Sequence, residues 1–154
     1  MKKNVKKVIS FILSMLVIIS TAVTPAMAAG TKEAPTEVKS VMASGLWTTV
    51  LNLEFEDTTW MDNINKVIVN DKECKKSMIN SFSSDTSIWE VGSATGAYGS
   101  YKALKLAVPD GKLWTVKVSA DGYKDLTVKI TKETVNYTDT YKAEVVSNSG
   151  GDNQ

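Results

Sequence analysis

Histidine is absent from all 154 residues of this chain. That removes the usual general base of hydrolases and the commonest side-chain ligand for zinc or haem iron. No Ser-His-Asp or Cys-His arrangement can be assembled from what remains. Arginine is missing too, since all 18 basic residues are lysines. The rigid fork that grips carboxylates and phosphates at two points is therefore not in the inventory. No Gly-rich loop opens a helix to cradle phosphate. The composition excludes most familiar catalytic machinery, and the chain reads as a non-enzymatic protein that needs no cofactor and no metal.

Cysteine is nearly absent. Cys74 stands alone, so no internal disulfide can form. Two readings exist for its thiol: buried and inert, or available for intermolecular pairing, its pKa lowered by two nearby lysines of Lys72-Glu73-Cys74-Lys75-Lys76. The buried reading is preferred. Without a disulfide, burial and hydrogen bonding carry stability, which points to Trp47, Trp60, Trp89 and Trp114 as core residues.

Long apolar runs are also scarce. The one present follows a basic start, Met1 to Lys7, and extends from Val8 to Ile19. Small residues and an Ala26-Met27-Ala28 exit come next, which is the pattern of a cleaved signal peptide over residues 1–28. A retained membrane anchor is the alternative, but the run is short for a span of roughly 20 residues. The expected product is secreted and extracellular. Losing the four lysines of residues 1–28 turns a net charge of +1 into −3. A slightly acidic protein is a poor partner for nucleic acid or an anionic membrane.

What is abundant is period-two alternation. Trp114, Val116 and Val118 alternate with Thr115, Lys117 and Ser119; after Asp121-Gly122, Leu126, Val128 and Ile130 alternate with Thr127, Lys129 and Thr131. Such alternation on both sides of an Asp-Gly turn predicts two antiparallel strands with one buried face each. Further strands are expected over 47–56, 64–69, 72–79, 87–91, 102–108 and 137–146, the last at an edge. A short helical turn capped by Asp57 or Thr58 fits 57–62. Residues 29–40 read as a disordered lead-in, 92–99 as a flexible loop and 147–154 as a flexible tail. The fold class expected is all-β: an Ig-like antiparallel β-sandwich of seven to eight short strands over residues 41–146.

Two kinds of residue remain as site candidates. Glu54, Glu56, Asp57 and Asp62 are carboxylates that can serve glycoside hydrolysis or Ca²⁺, but Glu54 and Glu56 share a strand face, and a solvated face is the preferred reading. Aromatics on irregular segments are the stronger signal: Trp60, Trp89, Tyr98 and Tyr101 can form a partner-binding surface. For Trp60 and Trp89, capping of the core is an equal alternative. Tyr98 and Tyr101, set among Gly and Ser, lean toward exposure. Tyr123, after Asp-Gly, reads as a structural corner residue.

These residues resemble a family. Leu51-Asn52-Leu53-Glu54-Phe55, Trp60 with Ile64, Val67 to Asp71, the Leu104–Leu106 strand and Trp114 to Asp125 follow the pattern of the haemoglobin-interacting domain of the streptococcal haemoprotein receptor. The likeness covers about residues 45–132, and Ala120-Asp121-Gly122-Tyr123-Lys124-Asp125 is its most specific piece. Asn70-Asp71 replaces the family's usual Asn-Gly turn, and no separate haem-binding domain accompanies it. The resemblance implies a small secreted β domain that docks on a host protein, haemoglobin being the precedent, without itself binding haem. Two other readings stay open: a module that binds surface glycan, and a structural spacer whose edge strand pairs with neighbours.

Overall fold

The computed structural model describes residues 32–147 apart from Ser81 and Ser83. The signal-peptide segment and the tail from residue 148 lie outside the described residues. Nine strands and one short helix follow in order: β1 (Ser40–Ser44), β2 (Thr49–Glu54), α1 (Thr58–Asp62), β3 (Ile64–Val69), β4 (Lys72–Lys76), β5 (Ile88–Gly96), β6 (Gly99–Val108), β7 (Leu113–Ala120), β8 (Leu126–Val135) and β9 (Thr138–Ser147). They form one continuous sheet in the order β1-β2-β6-β5-β4-β3-β7-β8-β9, curled until it nearly closes. The edge strands β1 and β9 are not paired, yet Tyr141 of β9 shares a cleft with Ala43 and Ser44 of β1.

All neighbours run antiparallel except β4 and β5, joined in parallel through Lys75–Ile88 and Lys76–Trp89. A parallel pair cannot be joined by a tight turn. The chain therefore crosses over through residues 77–87, and Ile79 and Asn80 come to lie beside Val50, Asn52 and Lys105 on the outer face of β2 and β6. That cover explains why Val50 and Asn52 are buried although they alternate out of phase with the core. Asn52 is a buried polar side chain, and its amide donates to Ser44 Oγ at 2.9 Å and to the Met42 carbonyl at 3.3 Å.

The inward face is the one that alternation predicts. Leu51 and Leu53, Leu104 and Leu106, Trp114, Val116 and Val118, and Leu126, Val128 and Ile130 are all within 1 % of complete burial and share one core. Tyr141, Ala143 and Val145 of β9 pack against that core from its edge. Asn70-Asp71 and Asn136-Tyr137 both take positive φ, the backbone required by a two-residue hairpin turn whose twist matches its strands. Asp57 caps α1 by accepting from the Trp60 amide at 2.8 Å.

Four expectations need correction. The sheet has nine strands rather than seven to eight, because β1 was not signalled by alternation. The lead-in is ordered from Lys32 onward. The Lys32 amide donates to the Gly122 carbonyl at 3.1 Å, the Lys124 amide donates to the Lys32 carbonyl at 3.0 Å, and Ala34 is buried. Residues 92–99 are not a loose loop but the end of β5, a turn at Ala97-Tyr98 and the start of β6, paired from Gly92–Ala103 out to Gly96–Gly99. Trp47 precedes β2 instead of lying in it, and its side chain is 73 % exposed.

Candidate functional site

The hairpin of β5 and β6 is longer than the sheet beside it. β6 pairs with β2 from Val108 to Leu104, while its pairing with β5 continues to Gly99. The residues beyond this point overhang the sheet and form one wall of a cleft, with β1 and β2 supplying the other. Its lining includes Lys39, Ser40, Met42, Glu54, Tyr98 and Tyr101, and its volume is 440 Å³. Lys102 pairs with Asp62 of α1, which ties the base of the hairpin down.

Glycine sets the shape of this cleft at two positions. Gly99 has φ +115°, a backbone that residues with a Cβ rarely adopt, and it closes the Ala97-Tyr98 turn. Gly96 leaves room for the Tyr101 ring to lie across it. Tyr98, at the turn, is completely exposed.

The floor is electrostatically defined. Glu54 Oε2 accepts from Ser40 Oγ at 2.8 Å, and Lys39 Nζ stands 3.2 Å from Oε1. The Ser40 hydrogen bond, aided by Lys39 and opposed by partial burial, holds the Glu54 carboxyl below the usual glutamate range. Glu54 is thus part of a network, not simply a residue of a solvated face. The Tyr101 hydroxyl oxygen is buried and has no hydrogen-bond partner among the described residues. Burial, reinforced by the charge of Glu54 and partly offset by the nearby Ser40 hydroxyl, whose own hydrogen bond goes to Glu54, pushes its pKa above the usual phenol range.

Of the four aromatics singled out from the sequence, the fold brings Tyr98 and Tyr101 together in this cleft. Trp60 and Trp89 are elsewhere, 0 % and 1 % exposed. Trp60 packs edge-on against Phe55 with ring centroids 4.8 Å apart, and Trp89 belongs to the central core beneath the Lys76 ammonium. Both are core residues and offer no surface to a partner.

Sequence reasoning missed Trp47. It alternates in phase with Leu51 and Leu53, which assigns it to the core, yet Gly45 at φ +102° turns the chain before β2 begins. Trp47 and Leu46 therefore stand out together from the β1–β2 connection. They border a second cleft of 370 Å³ lined also by Thr48, Thr49, Asp110 and Tyr141. Thr49 Oγ1 donates to Asp110 Oδ1 at 3.4 Å. The signal that could have found this is the Ser44-Gly45 pair, a turn marker just ahead of the tryptophan.

Among the described residues, no group of three or more Asp, Glu, Cys or His side chains is placed to hold a metal ion, and no helix is long and apolar enough to cross a membrane. Cys74 is buried in the core, its thiol pKa raised by that burial. No family model, curated protein or solved structure matches the chain.

Proposed function

We propose that this is a secreted, non-catalytic binding module, Ig-like in outline, that docks on a protein partner through the cleft of Tyr98 and Tyr101. The observation that carries this reading is the placement of Tyr98. A fully exposed tyrosine at the tip of an overhanging hairpin, beside a partly buried carboxylate, has the form of a protein hot spot awaiting its partner. The lack of histidine leaves little with which to do chemistry and is compatible with docking, which needs neither nucleophile nor metal. The resemblance to the haemoglobin-interacting domain names haemoglobin as the first host protein to try.

The test is capture of haemoglobin, with and without haem, by the wild-type protein and by Tyr98→Ala. Saturable binding that Tyr98→Ala weakens at least tenfold supports the reading. Binding that survives the substitution unchanged removes this cleft from the interface.

The exposed Trp47 favours a second reading, glycan binding. An indole face beside Asp110 and Thr49 offers both a stacking plane and hydrogen bonds for a sugar ring. A glycan array read with wild type and Trp47→Ala separates the two: a hit lost on Trp47→Ala assigns the second cleft to carbohydrate.

A further inference from the structure

We infer that the cleft beside the Tyr98 turn is a socket for one cationic side chain, lysine or arginine, presented by the partner. The inference rests on the protein-docking reading above and specifies what the cleft recognises.

The floor is an anion. Glu54 is only 20 % exposed, and Ser40 fixes its carboxylate in place. The walls are Tyr98, Tyr101 and the Met42 thioether, and aromatic faces attract a cation lying within about 6 Å of the ring centre. An anionic ligand would meet the Glu54 charge, and a purely apolar one would strip water from it with nothing in return.

A cation already reaches this place. Lys39 extends from the rim to Glu54 while its own side chain stays 64 % exposed, so the pair is open to solvent on one side. Exposed pairs of this kind are held weakly, and an incoming ammonium or guanidinium can displace the lysine. A lysine head brings three donors and an arginine head five, enough to pair with Glu54 while the rest of the head lies against the tyrosine-lined wall. Residues 29–154 hold 14 of the 18 lysines and all 17 acids, a balance that favours approach of a basic surface.

The probes are N-acetyl-lysine and N-acetyl-arginine methylamides, titrated into the ¹⁵N-labelled protein and followed by amide chemical shifts. The leucine and glutamate analogues serve as controls. The expected result is saturable shifts confined to residues 39–42, 54 and 96–102 for the cationic amides alone. Glu54→Gln should weaken them at least tenfold. Lys39→Met removes the resident cation while keeping the aliphatic stem, and should tighten binding severalfold. Thermal unfolding of both variants verifies that they fold.

An equal response to the leucine amide, the absence of localised shifts, or indifference to Glu54→Gln overturns the inference. Those failures leave docking itself standing wherever Tyr98→Ala still abolishes partner capture. Conversely, cationic amides that bind while capture ignores Tyr98→Ala confirm the socket and reject the docking reading.

Discussion

Tyr101 lies so close over Gly96 that a Cβ added to Gly96 would sit 3.1 Å from Tyr101 Cε1. The two residues belong to the paired strands of one hairpin, and the missing side chain of one is the resting place of the other. Gly96 has ordinary backbone angles for a strand, so Gly96→Ala strains no dihedral and acts only by displacing the ring. The expected cost in stability is on the order of 1 kcal/mol, at the low end for an overpacked site because the ring borders a cleft and can move. Partner affinity should fall further than stability does. A thermal melt beside a capture assay checks this, and the prediction fails if both are unchanged.

The four tryptophans separate into two classes by substitution. Trp60→Ala and Trp89→Ala each empty a fully buried site and should cost about 3–5 kcal/mol. Trp47→Ala removes a side chain that is mostly in water, and should stay within roughly 0.5 kcal/mol of wild type. Urea unfolding of the three variants measures the contrast. A large loss for Trp47→Ala would mean that the indole packs against the protein.

Acid should weaken the join between β1 and β2. The Glu54 carboxyl is depressed below its unfolded value, so the folded state favours its ionised form. Its contribution is therefore complete above the ordinary glutamate range and is lost as pH falls through the lower, folded pKa. Wild type should melt above Glu54→Gln at neutral pH, and the gap should narrow as pH falls below the ordinary glutamate range and through the depressed folded-state pKa. A gap that persists in acid would show that the hydrogen bond of Ser40 is not serving a carboxylate.

Cys74 should resist modification. It is buried among core residues on β4, and burial raises its thiol pKa, which lowers the thiolate fraction at neutral pH. Its reaction with a thiol reagent in the native state should be slower than in denaturant by on the order of 100-fold or more. Comparable rates in the two conditions would place the thiol at the surface, where the neighbouring lysines could activate it.

Much of this fold was legible in advance. β7 is read within a residue of its limits because polar and apolar residues alternate strictly there and one face is wet; β3 is read at its true limits although Ile64-Asn65-Lys66-Val67-Ile68-Val69 alternates less strictly, because the Asn70-Asp71 turn marks its end. The Asp57 cap was visible because a short carboxylate before a helical turn has one obvious use. β1 was harder to see, since only Val41 packs toward the core from it and no alternation marks the strand. The overhanging end of β5 and β6 reads as a loop in sequence because Gly92, Gly96 and Gly99 imitate flexibility. In the folded hairpin Gly96 instead makes room for an aromatic ring.

The candidate site was half legible. Composition singled out Tyr98 and Tyr101 on the strength of their small, polar neighbours, and both line the cleft. Trp60 and Trp89 have similar neighbours in sequence but entirely different ones in space.

The sequence by itself determined that this is a β protein, which residues of most strands face inward, and that histidine- and arginine-based chemistry is unavailable to it. These properties are local: they follow from the two-residue repeat of a strand and from which side chains exist at all. Only the tertiary structure decided which tryptophans are core and which one is surface, and that Lys39, Glu54 and Tyr101 meet. Residues 15, 47 and 62 positions apart come together through the pairing of β1 with β2 and of β2 with β6, and no periodicity along the chain records a strand's neighbour. Burial of a large side chain depends on that neighbour, because a strand provides only a direction and the far side of the curled sheet provides the cover.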